Sequence, residues 1–419
     1  MKPILIICFS AAKVTGVLHT FRIFTVLSLA VIATGDQEKV EILLHDGNNK
    51  FTANMFSEVA KANPEQSFVI SAFNVMTPLA QLGLASVGES HDELLNAIGM
   101  PDDDATMEVF SMVNTRIQSV KGVTLKTASK IYVAKNYELN SEFAALTRDI
   151  FGSEVQNLDF NQKGSAANEI NAWVEEQTNN RIKDLVSPDS IKDESRAFLV
   201  NAIYFKGFWK AQFNKDLTRD MDFHVNNGET MTVSMMYRKG YYMYTESDDL
   251  KSQVIKIPYQ GDETSLVVVL PRGIEGIKEV QEILRDPNVL DIALSEIYET
   301  IVELYLPTFR IDTTTDLKDI LEKMNVTKVF DSEKAGLFNL IKPDIDKRDL
   351  LYIDTATQKA FIEVNEEGAE AAAVTSFGIG IIHPSIEPPP MPIEFKADHP
   401  FLFFLLEEGD VLFNGIFYS

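Results

Sequence analysis

The chain has 419 residues, with 62 acidic against 38 basic side chains, a net charge of −24 and a single cysteine. That balance excludes nucleic acid, heparin-like polymers and anionic membranes as general partners, because long-range repulsion opposes each encounter. One thiol excludes a disulfide framework, so a stable fold here needs a large apolar core.

Residues 1–35 contain no acid and three basic residues, Lys2, Lys13 and Arg22. The apolar run 23–33 precedes the small-x-small stretch Ala33-Thr34-Gly35. This pattern predicts a secretory signal peptide cut before Asp36. A run of 11 is short of the roughly 20 residues that span a bilayer, which argues against a membrane anchor. Cys8 lies in the leader, so the mature chain has no thiol. Without Lys2, Lys13 and Arg22 the charge falls to near −27. Residues 36–419 hold no Gly/Ser/Pro linker and no internal repeat, which predicts one large domain.

Within it Phe51, Met55, Phe56 and Val59 recur at helical spacing. Ser90-His-Asp-Glu93, ahead of Leu94, Leu95 and Ile98, reads as a capping box opening a helix. Residues 167–181 read as a further helix, with Ile170, Trp173 and Val174 on one stripe. From about Ser195 the texture changes. Residues 197–205, 264–270 and 300–306 are rich in β-branched and aromatic side chains and read as strands. Asn226-Asn-Gly228 and Glu407-Glu-Gly-Asp410 read as hairpin turns. Helices first and strands later predict an α+β fold around a large sheet.

No motif for catalysis stands out. The sequence lacks HExxH, GxSxG and the P-loop, and its six histidines form no metal-ligand spacing with the lone cysteine. Gly378-x-Gly380 lacks a third glycine and does not open a helix. Neither a metal nor a cofactor is expected. Asn325-Val-Thr327 is the only N-x-[ST] sequon and a glycan acceptor if the chain is secreted.

The most informative stretch is 360–376. A strand-like run, Ala360 to Val364, leads through Glu366 and Glu367 to Gly368, then Ala369-Glu370-Ala371-Ala372-Ala373. Continued as a strand, Ala369, Ala371, Ala373 and Thr375 share one small, uncharged face, and Glu370 falls on the other. An exposed helical turn is the competing reading, since Ala and Glu favour helix. Gly368 and the proline-rich run after Gly378 oppose it.

This hinge, with Asn201–Phe213 (NAIYFKGFWKAQF) and Asp398–Leu406 (DHPFLFFLL), resembles the serpins, in particular secreted insect serpins of the antitrypsin-like haemolymph type. The resemblance covers the chain from about residue 40 onward. It implies a monomeric protease inhibitor whose reactive loop, about 366–395, is cleaved by a target serine protease. The cut loop then inserts as a new strand with the protease covalently attached. Glu366, Glu367, Gly368, Ala369, Glu370, Ala371, Ala372 and Ala373 match the hinge. Asn201 and Trp209 match residues behind and at the top of the opening sheet, and Ser71 the start of a helix buried beneath it.

Some positions depart from the family. Ala72 and Asn74 replace the usual Pro and Ser, Gln358 a common His, and Thr308 a Lys that pairs with the residue matching Glu366. The expectation is therefore open as to how tightly the sheet is latched. Counting 14 residues from Gly368 places the reactive bond at Ile382–His383, with Ile381–Ile382 and Pro384–Ser385 as rivals. No Lys or Arg lies between Gly368 and Lys396, so the expected target is an elastase- or chymotrypsin-like enzyme rather than a trypsin-like one. A non-inhibitory serpin, a cysteine-protease inhibitor and a hydrolytic enzyme are the alternatives. Residues Ala369 and Ala371 oppose the first, and the absent motifs oppose the last.

Overall fold

The computed structural model describes residues 18–342, 351–367 and 391–419, with side chains from Gln37 onward. Its helices are α1 (Leu18–Ala62), α2 (Ala72–Ala85), α3 (Glu89–Ala97), α4 (Asp103–Ser119), α5 (Ser141–Phe151), α6 (Lys163–Gln177), α7 (Ile277–Ile283), α8 (Val289–Ser295) and α9 (Leu317–Lys323). The first strands are β1 (Phe68–Ile70), β2 (Val123–Ala134), β3 (Glu154–Leu158), β4 (Ala197–Gly207), β5 (Arg219–Asn226), β6 (Glu229–Ser247) and β7 (Ser252–Pro258). The rest are β8 (Thr264–Pro271), β9 (Tyr298–Pro307), β10 (Phe309–Asp316), β11 (Thr355–Val364), β12 (Ile393–Lys396), β13 (Phe401–Glu407) and β14 (Asp410–Phe417). The α+β expectation holds, and the three predicted strands and both hairpin turns form where the sequence places them. No described helix is long and apolar enough to cross a membrane.

The strands form two sheets. The order β1-β14-β13-β8-β7-β6-β9-β12, with β5 beside β6, makes nine strands, and β10-β11-β4-β2-β3 makes five. The chain passes from one sheet to the other at Thr308, between β9 and β10. Phe309 sits at that junction, 5.3 Å from the Phe403 ring and 5.2 Å from that of Phe417. One continuous hydrophobic core runs through both sheets. Strands β4 and β8, buried along almost their whole length, read in sequence as mainly apolar runs, as burial of both faces requires. Beneath the five-stranded sheet lies α2, whose residues are buried except Thr77.

Two local expectations are corrected. The helix expected to open with a capping box at Ser90 opens instead at Glu89, after Gly88, whose φ of +69° suits glycine. Ser90 falls inside the first turn with a buried hydroxyl that has no partner among the described residues. Glu93 is used elsewhere. Its carboxylate accepts from the backbone N–H of Thr327 and of Lys328, the latter at 2.8 Å, and pairs with the Lys328 ammonium at 3.3 Å. A carboxylate at the N-terminus of the 3-10 turn Lys328–Phe330 satisfies donors that the turn leaves free. The helix expected over 167–181 runs from Lys163 to Gln177. It stops because Asn179 and Asn180 adopt left-handed backbone, φ +53° and +57°.

Candidate functional site

The five-stranded sheet has one seam unlike its neighbours. Strands β11 and β4 run parallel over eight paired residues, from Thr355 opposite Phe198 to Ile362 opposite Phe205. On either side, β10 with β11 and β2 with β4 are antiparallel. Parallel strands need a crossover and are slightly less stable per residue than antiparallel ones. Any segment entering between β4 and β11 in the opposite direction would replace one parallel ladder by two antiparallel ladders.

Beneath the seam lies a buried polar cluster. Period-2 alternation turns Asn201 on β4 and Gln358 on β11 to the inner face, opposite one another. Gln358 Nε2 donates to Asn201 Oδ1 at 2.8 Å and to the Ser71 carbonyl at 2.8 Å. The Ser71 N–H donates to Gln358 Oε1 at 3.1 Å. Asn74 Nδ2 donates to Asn201 Oδ1 at 2.8 Å, and Asn201 Nδ2 returns a bond to the Asn74 carbonyl at 3.0 Å. Ser71 is the N-cap of α2, its hydroxyl accepting from the Asn74 N–H and donating to the Leu412 carbonyl at 2.6 Å. All four residues are buried. Bonds in such a site strengthen one another, and an orphaned member is costly. Asn74 and Gln358, the two departures, are both members of this hydrogen-bonded cluster.

At the top of the seam a second group fastens the chain as it leaves β11. Trp209 is 1% exposed and stacks on Tyr259 at 4.3 Å with an 11° interplanar angle. Its indole Nε1–H donates to the Asn365 carbonyl at 2.7 Å. The Phe213 N–H donates to the Glu366 carbonyl at 3.0 Å, and Gln212 Nε2 to the Glu367 carbonyl at 3.3 Å. Glu366 Oε1 accepts from the Thr218 hydroxyl at 2.8 Å, and Glu367 pairs with Lys215. That neighbour raises the Lys215 ammonium above its ordinary range. Thr308 bonds the Ser234 carbonyl instead, and Glu366 takes Thr218 as its partner.

The structure therefore brings together Ser71, Asn201, Trp209, Glu366 and Glu367 along one seam. Gly368, Ala369, Glu370, Ala371, Ala372, Ala373, Ile382 and His383 lie outside the described residues. Asn325 is exposed just beyond α9, with φ +66°. Sequence reasoning missed Thr218, Gln212 and Lys215 as latch residues. The signal was the recognisable stretch Asn201–Phe213, which contains Gln212 and ends a few residues short of Lys215 and Thr218.

Comparison with known proteins agrees with this geometry. A family model described as "Serpin (serine protease inhibitor)" matches residues 46–419. Antichymotrypsin-2 of Bombyx mori is 51% identical over 376 residues, covering 90% of this chain and 98% of that protein. Antitrypsin of the same insect is 49% identical over 395 residues, covering 94% and 99%. The crystal structure of Serpin48, described as a highly specific serpin of Tenebrio molitor, superposes with a TM-score of 0.80 at 31% identity, covering 90% and 98%.

Proposed function

The chain belongs to the serpin family, and from that premise we propose that it is a secreted suicide inhibitor of a non-trypsin-like serine protease. The family description and relatives named as protease inhibitors support inhibition rather than catalysis. The finer reading is carried by the parallel seam between β4 and β11, with the hinge chain fastened at its upper end. A loop cut near Ile382 gains a path into that seam, antiparallel to both neighbours.

The chemistry runs in order. The protease serine attacks the carbonyl carbon of Ile382, and the amine of His383 leaves. The acyl-enzyme that remains is normally hydrolysed. If the hinge inserts first, the protease is carried along and its site distorted. The 14 residues from Gly368 to Ile382 extend about 46–50 Å. The 11-residue β4 spans about 36 Å, so the loop covers the seam end to end.

Two considerations support the choice of target class. The relatives named antichymotrypsin-2 and antitrypsin match this chain almost equally well, so overall identity does not select a protease. Loop composition does. Between Gly368 and Lys396 there is no cation for a trypsin-like pocket, while Ile381 and Ile382 suit a shallow apolar one. Secretion is supported by the leader-like residues 1–35. The exposed Asn325 suits a glycan acceptor.

The test is to mix the protein with elastase, chymotrypsin and trypsin, then resolve complexes on denaturing gels and map the released fragment by mass. A stable complex with elastase and a fragment beginning at His383 are expected. Cleavage by every enzyme without any stable complex would overturn the inhibitory reading and leave a substrate or non-inhibitory serpin.

A further inference from the structure

The outer face of the same sheet carries a charge pattern that the function above does not use. Lys359 and Phe361 on β11, Tyr204 on β4, and Arg310 and Asp312 on β10 point outward, alternating with the inward Gln358 and Asn201. The segment after α6 crosses this face, turned there by the left-handed residues Asn179, Asn180 and Asp184. It is fastened on both sides of the seam. Lys359 Nζ donates to the Lys183 carbonyl at 2.9 Å, and Arg181 is hydrogen-bonded to the Tyr204 hydroxyl.

Between this segment and the sheet lies a recess of about 330 Å³, lined by Arg181, Lys183, Arg310 and Lys359 together with Asp184 and Asp312. Phe361 forms part of its floor, with the Arg310 guanidinium 4.9 Å above its ring. Four basic residues thus line the recess against two acidic ones in a chain of net charge −24. No ion pair between described residues engages any of the four. Clustered like charges repel unless a counter-charge joins them. Two guanidinium groups offer forked donors suited to tetrahedral oxyanions, and two ammonium groups add point charges.

We propose that this recess binds a small, multiply charged oxyanion, a phosphate or sulfate group, and that its occupancy restrains opening of the seam. The second half rests on the insertion reading given above. Strand entry must part Phe361 from Tyr204, whose rings meet across the seam at 5.5 Å, and must pull Lys359 away from the Lys183 carbonyl. An anion held by Arg310 and Lys359 on one side and by Arg181 and Lys183 on the other adds a tie across the gap. Insertion slows, and more acyl-enzyme hydrolyses before the protease is displaced.

Binding is measured by calorimetric titration of the full chain with inorganic phosphate and, separately, inorganic sulfate, each against sodium chloride of equal ionic strength. Saturable one-to-one binding is expected, weakened about tenfold or more in Arg310→Gln and in Lys183→Gln, which each remove a charged donor. Preference for one anion identifies its source chemistry. No saturable binding, equal affinity in both variants, or binding of long polyanions alone would overturn the site. In a separate arm, the number of inhibitor molecules consumed per elastase trapped should rise at least twofold in saturating phosphate, and not in chloride. Binding without that rise would overturn the regulatory half and leave the site standing. Absence of trapping in every buffer would count against the inhibitory function and not against the binding result.

Discussion

Asn201 and Gln358 meet side chain to side chain at 2.8 Å across the parallel junction of β4 with β11 in the five-stranded sheet. Each is fully buried, and the amide of Gln358 also closes on both backbone groups of Ser71. In Gln358→Leu the Ser71 N–H and carbonyl lose these partners within the protein. The native form should lose about 1–3 kcal/mol. A lower urea midpoint with an unchanged denaturant slope checks this, and an unaltered midpoint would mean that the cluster does not hold the seam.

Trp209→Phe keeps an aromatic ring against Tyr259 but removes the donor to the Asn365 carbonyl. The loss should be about 1 kcal/mol, located at the point where the hinge leaves β11. The chain has two tryptophans, so Trp173→Phe leaves Trp209 as the sole indole reporter. Its fluorescence should shift when the loop is nicked, and an identical spectrum before and after nicking would show that the latch does not move.

His45 on α1 sits 3.0 Å from Asp291 on α8 and 3.0 Å from Asp410 at the β13–β14 turn. Hydrogen bonds to Asp291 and then Asp410 push its pKa from 6.5 up to about 10, against the opposing effect of burial. The folded state therefore keeps a proton that the unfolded state releases near pH 6.5. The contribution is fully present below pH 6.5 and is lost as pH rises to about 10. His45→Gln should flatten the decline of the melting midpoint between pH 6.5 and 10. An unchanged slope would assign the decline to other groups.

Ala371→Arg should turn the inhibitor into a substrate. A guanidinium on the inserting face enters the sheet unpaired, at a cost of several kcal/mol, on the order of that for any buried unpaired charge. Glu370→Arg, on the alternate face, should preserve most of the stable complex. Equal loss in both variants on denaturing gels would refute the alternation of faces.

Ile382→Arg should create trypsin inhibition, because the bond then presents a cation at the reach set by the hinge. Chymotrypsin cutting after Phe377 should instead yield nicked inhibitor and free enzyme. That cut lies five residues short of Ile382, and the inserted strand is about 16 Å shorter at ~3.3 Å per residue. A covalent chymotrypsin complex mapped to Phe377 would show that loop length does not limit trapping.

Much of this architecture can be read from residue patterns alone. The mainly apolar run over β4 declares a strand buried on both faces, and Asn201 within it is conspicuous as the buried polar exception. Gln358 and Asn74 give no such cue. Their partners lie 157 and 127 residues away, and only the sheet register brings them together. Ser90 misleads for the opposite reason. The local capping signal is present, but Gly88 starts the helix earlier and the long-range partner at Thr327 claims Glu93. His45 carries no local motif at all, since its two carboxylates come from α8 and the β13–β14 turn.

The placement of β13 and β14 also bears on how the molecule is made. Among the described strands they come last in chain order, yet they stand between β1 and β8 inside the nine-stranded sheet. Until residues 401–417 emerge, β8 has an open edge and β1 has no strand partner. Such edges recruit other chains. A premature stop before Phe401 therefore removes two interior strands of this sheet and parts β1 from β8. Truncated products should accumulate as aggregates even though more than nine-tenths of the polypeptide is present.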